Sequence, residues 1–189
     1  MDRELVERAM RGDHAAFAQL AGGRIRDLLG IARLILRDQA GAEDATQDAL
    51  VNAWTHLRGL RDPDRFDAWL KKLLVTGCYR ESQRGRRRAA VEMRLDQPDW
   101  IEAPLADGDP TGALIDRDSL ERGFRRLDIE QRAILVLHYF HGHSLDEVGE
   151  ILGIKPGTVR SKLHRAIERM RAGLAADARS PLLDLGTRA

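Results

Sequence analysis

Residues 144–171, SLDEVGEILGIKPGTVRSKLHRAIERMR, constrain this chain most. Ser144 and Glu147 have the spacing of a capping box, in which each side chain satisfies the other residue's backbone N–H at a helix start. Leu145, Val148, Ile151 and Leu152 then form an apolar stripe. Gly153 stops that helix, and Pro156 suits the first position of the next, where its missing N–H would have no partner anyway. In the second helix Val159, Leu163, Ala166 and Met170 recur at helical spacing and face inward. Arg160, Ser161, His164 and Arg165 fall on the opposite side. Two short helices, a glycine turn and one cationic face predict a helix-turn-helix whose second helix fits a DNA major groove. Over 155–171 six cations stand against one acid, a local net charge of +5. That is enough for several phosphate contacts and a salt-dependent affinity. Arg160 and Arg165 can reach guanine edges or phosphates, and Ser161 and His164 bases or the sugar-phosphate backbone.

The rest of the chain has to be compatible with such a module. Aromatic residues make up only 5% and charged residues 32%, with few β-branched runs, so helices built on Leu, Ile, Val and Ala are expected throughout. Net charge is +1, so nucleic-acid binding must come from segregated charge. The single cysteine, Cys78, excludes an internal disulfide and a cysteine-cluster zinc site; it lies in an amphipathic stretch and is expected to be buried. No stretch has the pattern of a signal peptide or a membrane span, which predicts a cytoplasmic protein. No nucleotide-binding glycine loop, metal-ligand cluster or nucleophile–base pair is present, so no catalytic residue, metal or cofactor is expected.

Two small helical domains joined by a flexible acidic linker are predicted: an all-α fold with domain one over 1–90, the linker over 91–117, the helix-turn-helix domain over 118–175 and a loose tail over 176–189. In the first domain Leu5, Ala9, Phe17 and Leu20 mark a helix pair broken near Gly12-Asp13. Ile25, Leu28, Leu29, Ala32 and Ile35 mark the next helix, and a turn over 38–41 precedes a helix over 42–57. A long helix runs from about Arg65 into Arg84–Arg88. Across 89–121 nine acids oppose two bases, a net of −7, with three prolines and little periodicity, as in an unstructured spacer. Asp128 and Gln131 have capping spacing ahead of Ile134, Leu135, Leu137 and Phe140, and Gly142 ends that helix.

Rotated by 100° per residue, the helix over 42–57 gathers Ala45, Ala49, Leu50, Ala53, Trp54 and Leu57 on one side. Asp44, Gln47, Asp48, Val51 and Thr55 gather on the other. A valine inside an acidic-polar stripe suits a basic protein surface with a small apolar centre. The following helix sets Phe66 and Trp69 beside Arg65, Lys71, Lys72 and Arg80, a mixture that suits opened DNA with unstacked bases. The alternative for both aromatics is the core, which is favoured for Trp69.

With these pieces in order, the chain resembles bacterial sigma factors of the extracytoplasmic function (ECF) group. Residues 42–54, AEDATQDALVNAW, look like the family's polymerase-clamp-binding helix, and Phe66-Asp67-Ala68-Trp69-Leu70 with the basic helix looks like its promoter-melting part. Residues 157–166, GTVRSKLHRA, are close to its recognition-helix motif. The resemblance implies that Asp44, Gln47, Asp48 and Val51 bind the clamp helices of the largest subunit of core RNA polymerase. It implies that the loop over 58–66 captures a flipped base of the −10 element, with Arg61, Arg65, Phe66, Lys72, Thr76 and Arg80 on the opened strand. Lys155, Thr158, Arg160, Ser161, His164 and Arg165 would take the −35 duplex. An anti-sigma factor is implied as a regulator. Departures from the family pattern are Thr76 for Asn, Arg80 for Asp, Gly149 for Ala, Lys155 for Ser and Asp128 for Pro. The competing expectation is an autonomous helix-turn-helix repressor or activator that binds a palindromic duplex as a dimer without polymerase.

Overall fold

A computed structural model describes residues 3–92 and 122–177, with side chains over 3–88 and 122–174. Every regular element among them is helical, and the chain divides into two compact units. The expected linker beyond residue 92, and the tail beyond 177, lie outside the described residues.

The N-terminal unit begins with α1 (Arg3–Met10), which buries Leu5, Val6 and Ala9. Asp13 starts α2 (His14–Leu36) by accepting from the Ala16 N–H at 3.0 Å. That hydrogen bond, with the Arg8 guanidinium at 2.7 Å, holds the Asp13 carboxyl below its ordinary value. The two helices expected between Phe17 and Ile35 are one: α2 runs unbroken through Gly22-Gly23. Each glycine costs a helix about 1 kcal/mol relative to alanine. Burial of Leu20 on one side and of Leu28, Ile31 and Ile35 on the other outweighs that cost. Ile25, expected on the apolar stripe, is 46% exposed.

Asp38 caps α3 (Gln39–His56) through the Gly41 N–H at 3.1 Å, so this helix starts three residues before Ala42. Ala45, Ala49 and Ala53 are buried, and Leu50 and Trp54 half-buried, as the rotation of the sequence predicts. Two short 3-10 turns, Leu57–Gly59 and Pro63–Arg65, lead into α4 (Phe66–Glu92), which packs on α3. The approach is close enough that a Cβ on Gly77 would stand 3.1 Å from the Ala45 carbonyl oxygen. Small residues on both helices permit it. Helix α4 carries on past residue 90, because Ala89 and Ala90 after the arginine run are good helix formers. Cys78 is fully buried on α4, and burial pushes its thiol up to about 12.

In the C-terminal unit Asp128 and Gln131 form the expected reciprocal cap, at 2.8 and 3.3 Å, on α5 (Ile129–Leu135). Ala133 to Leu137 are buried. The helix then widens into a π turn, Val136–Phe140, before Gly142 at φ +67°. The wider turn carries Phe140 off the buried stripe, and it is 56% exposed rather than core. Helices α6 (Leu145–Leu152) and α7 (Pro156–Asp177) follow, with α7 packed on α5.

Candidate nucleic-acid interface

Helix α6 begins with the expected box. The Glu147 N–H donates to Ser144 Oγ at 3.2 Å, and the Ser144 N–H to Glu147 Oε2 at 2.7 Å. Gly153, at φ +70°, takes the left-handed conformation that a side chain would resist, and the chain reverses there. Lys155 stands before α7 with no hydroxyl to offer. Its carbonyl accepts from the Thr158 and Val159 N–H groups at 2.8 and 3.1 Å, while its ammonium adds to the positive field of the helix N-terminus.

Val159, Leu163 and Ala166 are buried and Met170 half-buried. Lys155, Arg160, Ser161, His164 and Arg165 are all exposed, and Thr158 is half-buried. Ser161 Oγ donates to the Thr158 carbonyl at 3.0 Å, which leaves its oxygen lone pairs outward. The local charge of +5 is not all presented. Lys162 Nζ lies 2.5 Å from Glu130, Arg169 reaches Gln131 at 2.8 Å and Asp128 at 3.4 Å, and Arg171 pairs with Glu168 at 3.2 Å. Lys155, Arg160 and Arg165 have no acidic partner among the described residues. The bare charge is therefore concentrated on the N-terminal half of α7.

On α3 the polar stripe stands outward. Asp44, Gln47 and Val51 are exposed, Val51 at 58%, and Asp48 is half-buried with Arg84 at 3.9 Å. The opposite edge of this helix carries Trp54, whose ring meets His14 and Phe17.

The loop between α3 and α4 is held by Asp62, which accepts from the Asp64 N–H at 3.0 Å, and by an Arg3–Asp64 ion pair at 2.5 Å. Arg61 and Arg65 are exposed on it. Lys72, Thr76 and Arg80 are exposed at four-residue intervals on one face of α4, with Thr76 Oγ1 donating back to the Lys72 carbonyl at 2.8 Å. Phe66 does not join this surface. It is fully buried beneath the Arg24 guanidinium, 5.3 Å above its ring, and Trp69 is half-buried beside it. The aromatic expected on the strand-binding surface is thus a core residue, because the start of α4 turns it under α2.

Two acids missed from the sequence shape these surfaces. Glu81 is buried on α4 and pairs with Arg84 at 3.2 Å and Arg88 at 3.5 Å. It falls seven residues after Leu74 on the apolar stripe, a signal that was readable. Glu130 has no such signal, since its lysine lies 32 residues away. Among the described residues no group of His, Cys, Asp or Glu is placed to hold a metal ion, and no helix is long and apolar enough to cross a membrane.

Known proteins share this arrangement. The Sigma-70 region 2 family matches residues 24–88, and the Sigma-70, region 4 family matches residues 117–170. The ECF RNA polymerase sigma factor SigM of Mycobacterium tuberculosis is 31% identical over 173 residues, 89% of this chain and 82% of that protein. The RNA polymerase sigma-H factor of Pseudomonas aeruginosa is 29% identical over 181 residues, 92% and 93% of the two chains. CnrH, solved in complex with the cytosolic domain of CnrY, superposes with a TM-score of 0.65 at 29% identity, over 93% of this chain and 98% of that one. The sigma factor RpoE of Bartonella quintana, solved with the anti-sigma factor NepR, shares the fold at a TM-score of 0.66. Since both sigma regions fall on the helices that carry the polar stripe and the cationic face, and relatives align along most of their length, the chain belongs to the ECF RNA polymerase sigma factors.

Proposed function

We propose that this sigma factor directs promoter-specific initiation through three separate surfaces, and that it makes no covalent change of its own. Asp44, Gln47, Asp48 and Val51 dock on the clamp helices of core polymerase, the acids meeting basic side chains and Val51 filling the apolar centre. Arg61 and Arg65 on the loop, with Lys72, Thr76 and Arg80 on α4, hold the opened −10 strand. Phe66 supports that loop from the core. Lys155, Thr158, Arg160, Ser161, His164 and Arg165 read the −35 duplex. Flipping a base costs a few kcal/mol in stacking and pairing. Capture of that base, together with phosphate contacts on α4 and α7, offsets the cost. The expected linker joins domains over 1–90 and 118–175. The protein acts in the cytoplasm, where polymerase is. By likeness to RpoE with NepR, an anti-sigma factor is a further partner.

One observation carries this reading. A polar stripe centred on an exposed valine, and a separate bare cationic helix face, occur in one chain at the positions of sigma regions 2 and 4. A dimeric repressor has no use for the first. The test is co-purification with core polymerase and transcription from a promoter selected by the resulting holoenzyme. Wild type is expected to do both. Asp48→Arg is expected to lose core binding while its stability falls by no more than about 1 kcal/mol, the loss of the exposed 3.9 Å pair with Arg84 included. Wild type that ignores core and shifts palindromic duplexes as a dimer overturns the proposal.

A further inference from the structure

Residues 155–171 carry six cations, yet they are not equal. Lys155, Arg160 and Arg165 are exposed with no acidic partner among the described residues, whereas Lys162 lies between Ser161 and Leu163 with its ammonium 2.5 Å from Glu130. Both partners are only about one-third exposed, at 30% and 35%. Lys162 sits on the flank of α7 that faces α5, about 100° round the helix from Ser161 and about 60° from Arg165. Its four-carbon stem is long enough to swing toward a bound phosphate if nothing holds it. The acid comes from the first turn of α5, whose other polar residues, Asp128 and Gln131, hold Arg169 in the same way.

We infer that Glu130 limits the DNA affinity of α7: it neutralises Lys162 and keeps it off the DNA backbone, so that sequence-independent, salt-dependent phosphate binding is trimmed while the base-reading residues stay exposed. This rests on the reading of α7 as the −35 helix. The physical basis is that a lysine on a phosphate raises affinity for every sequence alike and carries no base information. Because that gain is common to every sequence, the ratio of specific to non-specific binding stays the same while total affinity and its salt dependence change. Glu130 acts through Lys162 and is a positioning residue, not a base contact.

The experiment uses the full chain assembled with core polymerase, titrated from about 50 to 200 mM salt on a duplex carrying the −35 sequence that wild type selects and on a scrambled duplex. The contribution of core cancels between variants. Glu130→Gln keeps the side chain's size and removes its charge. It is expected to steepen the salt dependence on both duplexes by about 0.9 in the log–log slope, to bind both more tightly at low salt, and to leave the preference for the −35 sequence unchanged. Lys162→Gln alone is expected to leave the slope unchanged, and Glu130→Gln with Lys162→Gln to return it to the wild-type value. A purely structural role for the pair would not give this pattern. The proposal is overturned by a slope unmoved in Glu130→Gln, or by a slope that falls in Lys162→Gln alone, which would make Lys162 a phosphate contact. It is also overturned by a double variant as steep as Glu130→Gln, which would make Glu130 a direct repeller of phosphate. Wild type with no preference between the two duplexes refutes the −35 reading itself, and the inference with it.

Discussion

Phe66 and Cys78 show how much a single position can say. The sequence sets Phe66 at a loop edge among arginines, where a base-stacking role and a core role are equally open. Burial decides it: with no exposed surface and Arg24 over its ring, Phe66 anchors the start of α4. Phe66→Ala is therefore expected to destabilise the N-terminal unit by about 3 to 5 kcal/mol, the range for truncating a buried aromatic. Urea denaturation followed by circular dichroism measures this. Intact stability with a loss confined to promoter opening would return Phe66 to the DNA surface. For Cys78 the sequence and the structure agree. Only the thiolate alkylates readily, and burial lifts the thiol from its ordinary 9.0 to about 12. At pH 8 iodoacetamide is expected to label Cys78 at the rate of unfolding and no faster. The folded pKa lies above the unfolded one. Stability linked to this group is thus complete below about pH 9 and is lost as pH rises toward 12. Labelling at the rate of a free thiol under native conditions would contradict the buried site.

At the scale of the element, what was legible was local. Ser144 with Glu147, Asp128 with Gln131, Gly153 and Pro156 lie within a turn of the backbone groups they serve, so their spacing alone marks the helix ends. What was not legible depends on packing from afar. Gly22-Gly23 has the composition of a break, yet the flanking stripes of α2 are buried and the helix continues. The π turn at Val136–Phe140 has no counterpart in the hydrophobic period, which runs Phe140 on with Ile134, Leu135 and Leu137 although it is exposed. Glu130 reads as an ordinary helical acid until Lys162, 32 residues away, is seen beside it. The glycine that makes the α6–α7 turn gives the sharpest test at this scale. An alanine at φ +70° places its Cβ against the backbone at a cost of about 1 to 2 kcal/mol. Gly153→Ala is expected to lower amide hydrogen-exchange protection in α6 and α7 by that amount and to leave α3 and α4 unchanged. Unchanged protection in α7 would mean that the turn tolerates a side chain and that the glycine serves some other end.

Across the whole molecule a net charge of only +1 hides opposed regions, an acidic-polar stripe on α3 and bare cations on α7. That segregation was readable from composition by segment, because charge runs need no tertiary contact to be seen. Which cations remain available was not, since Lys162 and Arg169 are held by acids from the start of α5. If the two surfaces serve two partners, their losses must separate. Arg160→Ala with Arg165→Ala removes two exposed cations from α7 and touches nothing on α3. Core polymerase is expected to bind this variant as it binds wild type, while the resulting holoenzyme loses its −35 contacts. Should both arginines meet phosphates, binding weakens alike on all sequences and the salt slope falls by about 1.8. Should either meet a guanine edge, discrimination at that base pair falls by about 1 to 3 kcal/mol and the slope moves less. Asp48→Arg is expected to give the converse phenotype, a chain that holds its fold but does not assemble with core, so that its promoter preference is not expressed. Sites that share no partner combine additively to within about 0.5 kcal/mol. The triple variant is thus expected to lose core binding by the same factor as Asp48→Arg alone, measured by fluorescence anisotropy of labelled chain against core. A change in core affinity caused by the α7 arginines would place that helix on the polymerase as well, and would require one surface to serve both enzyme and promoter.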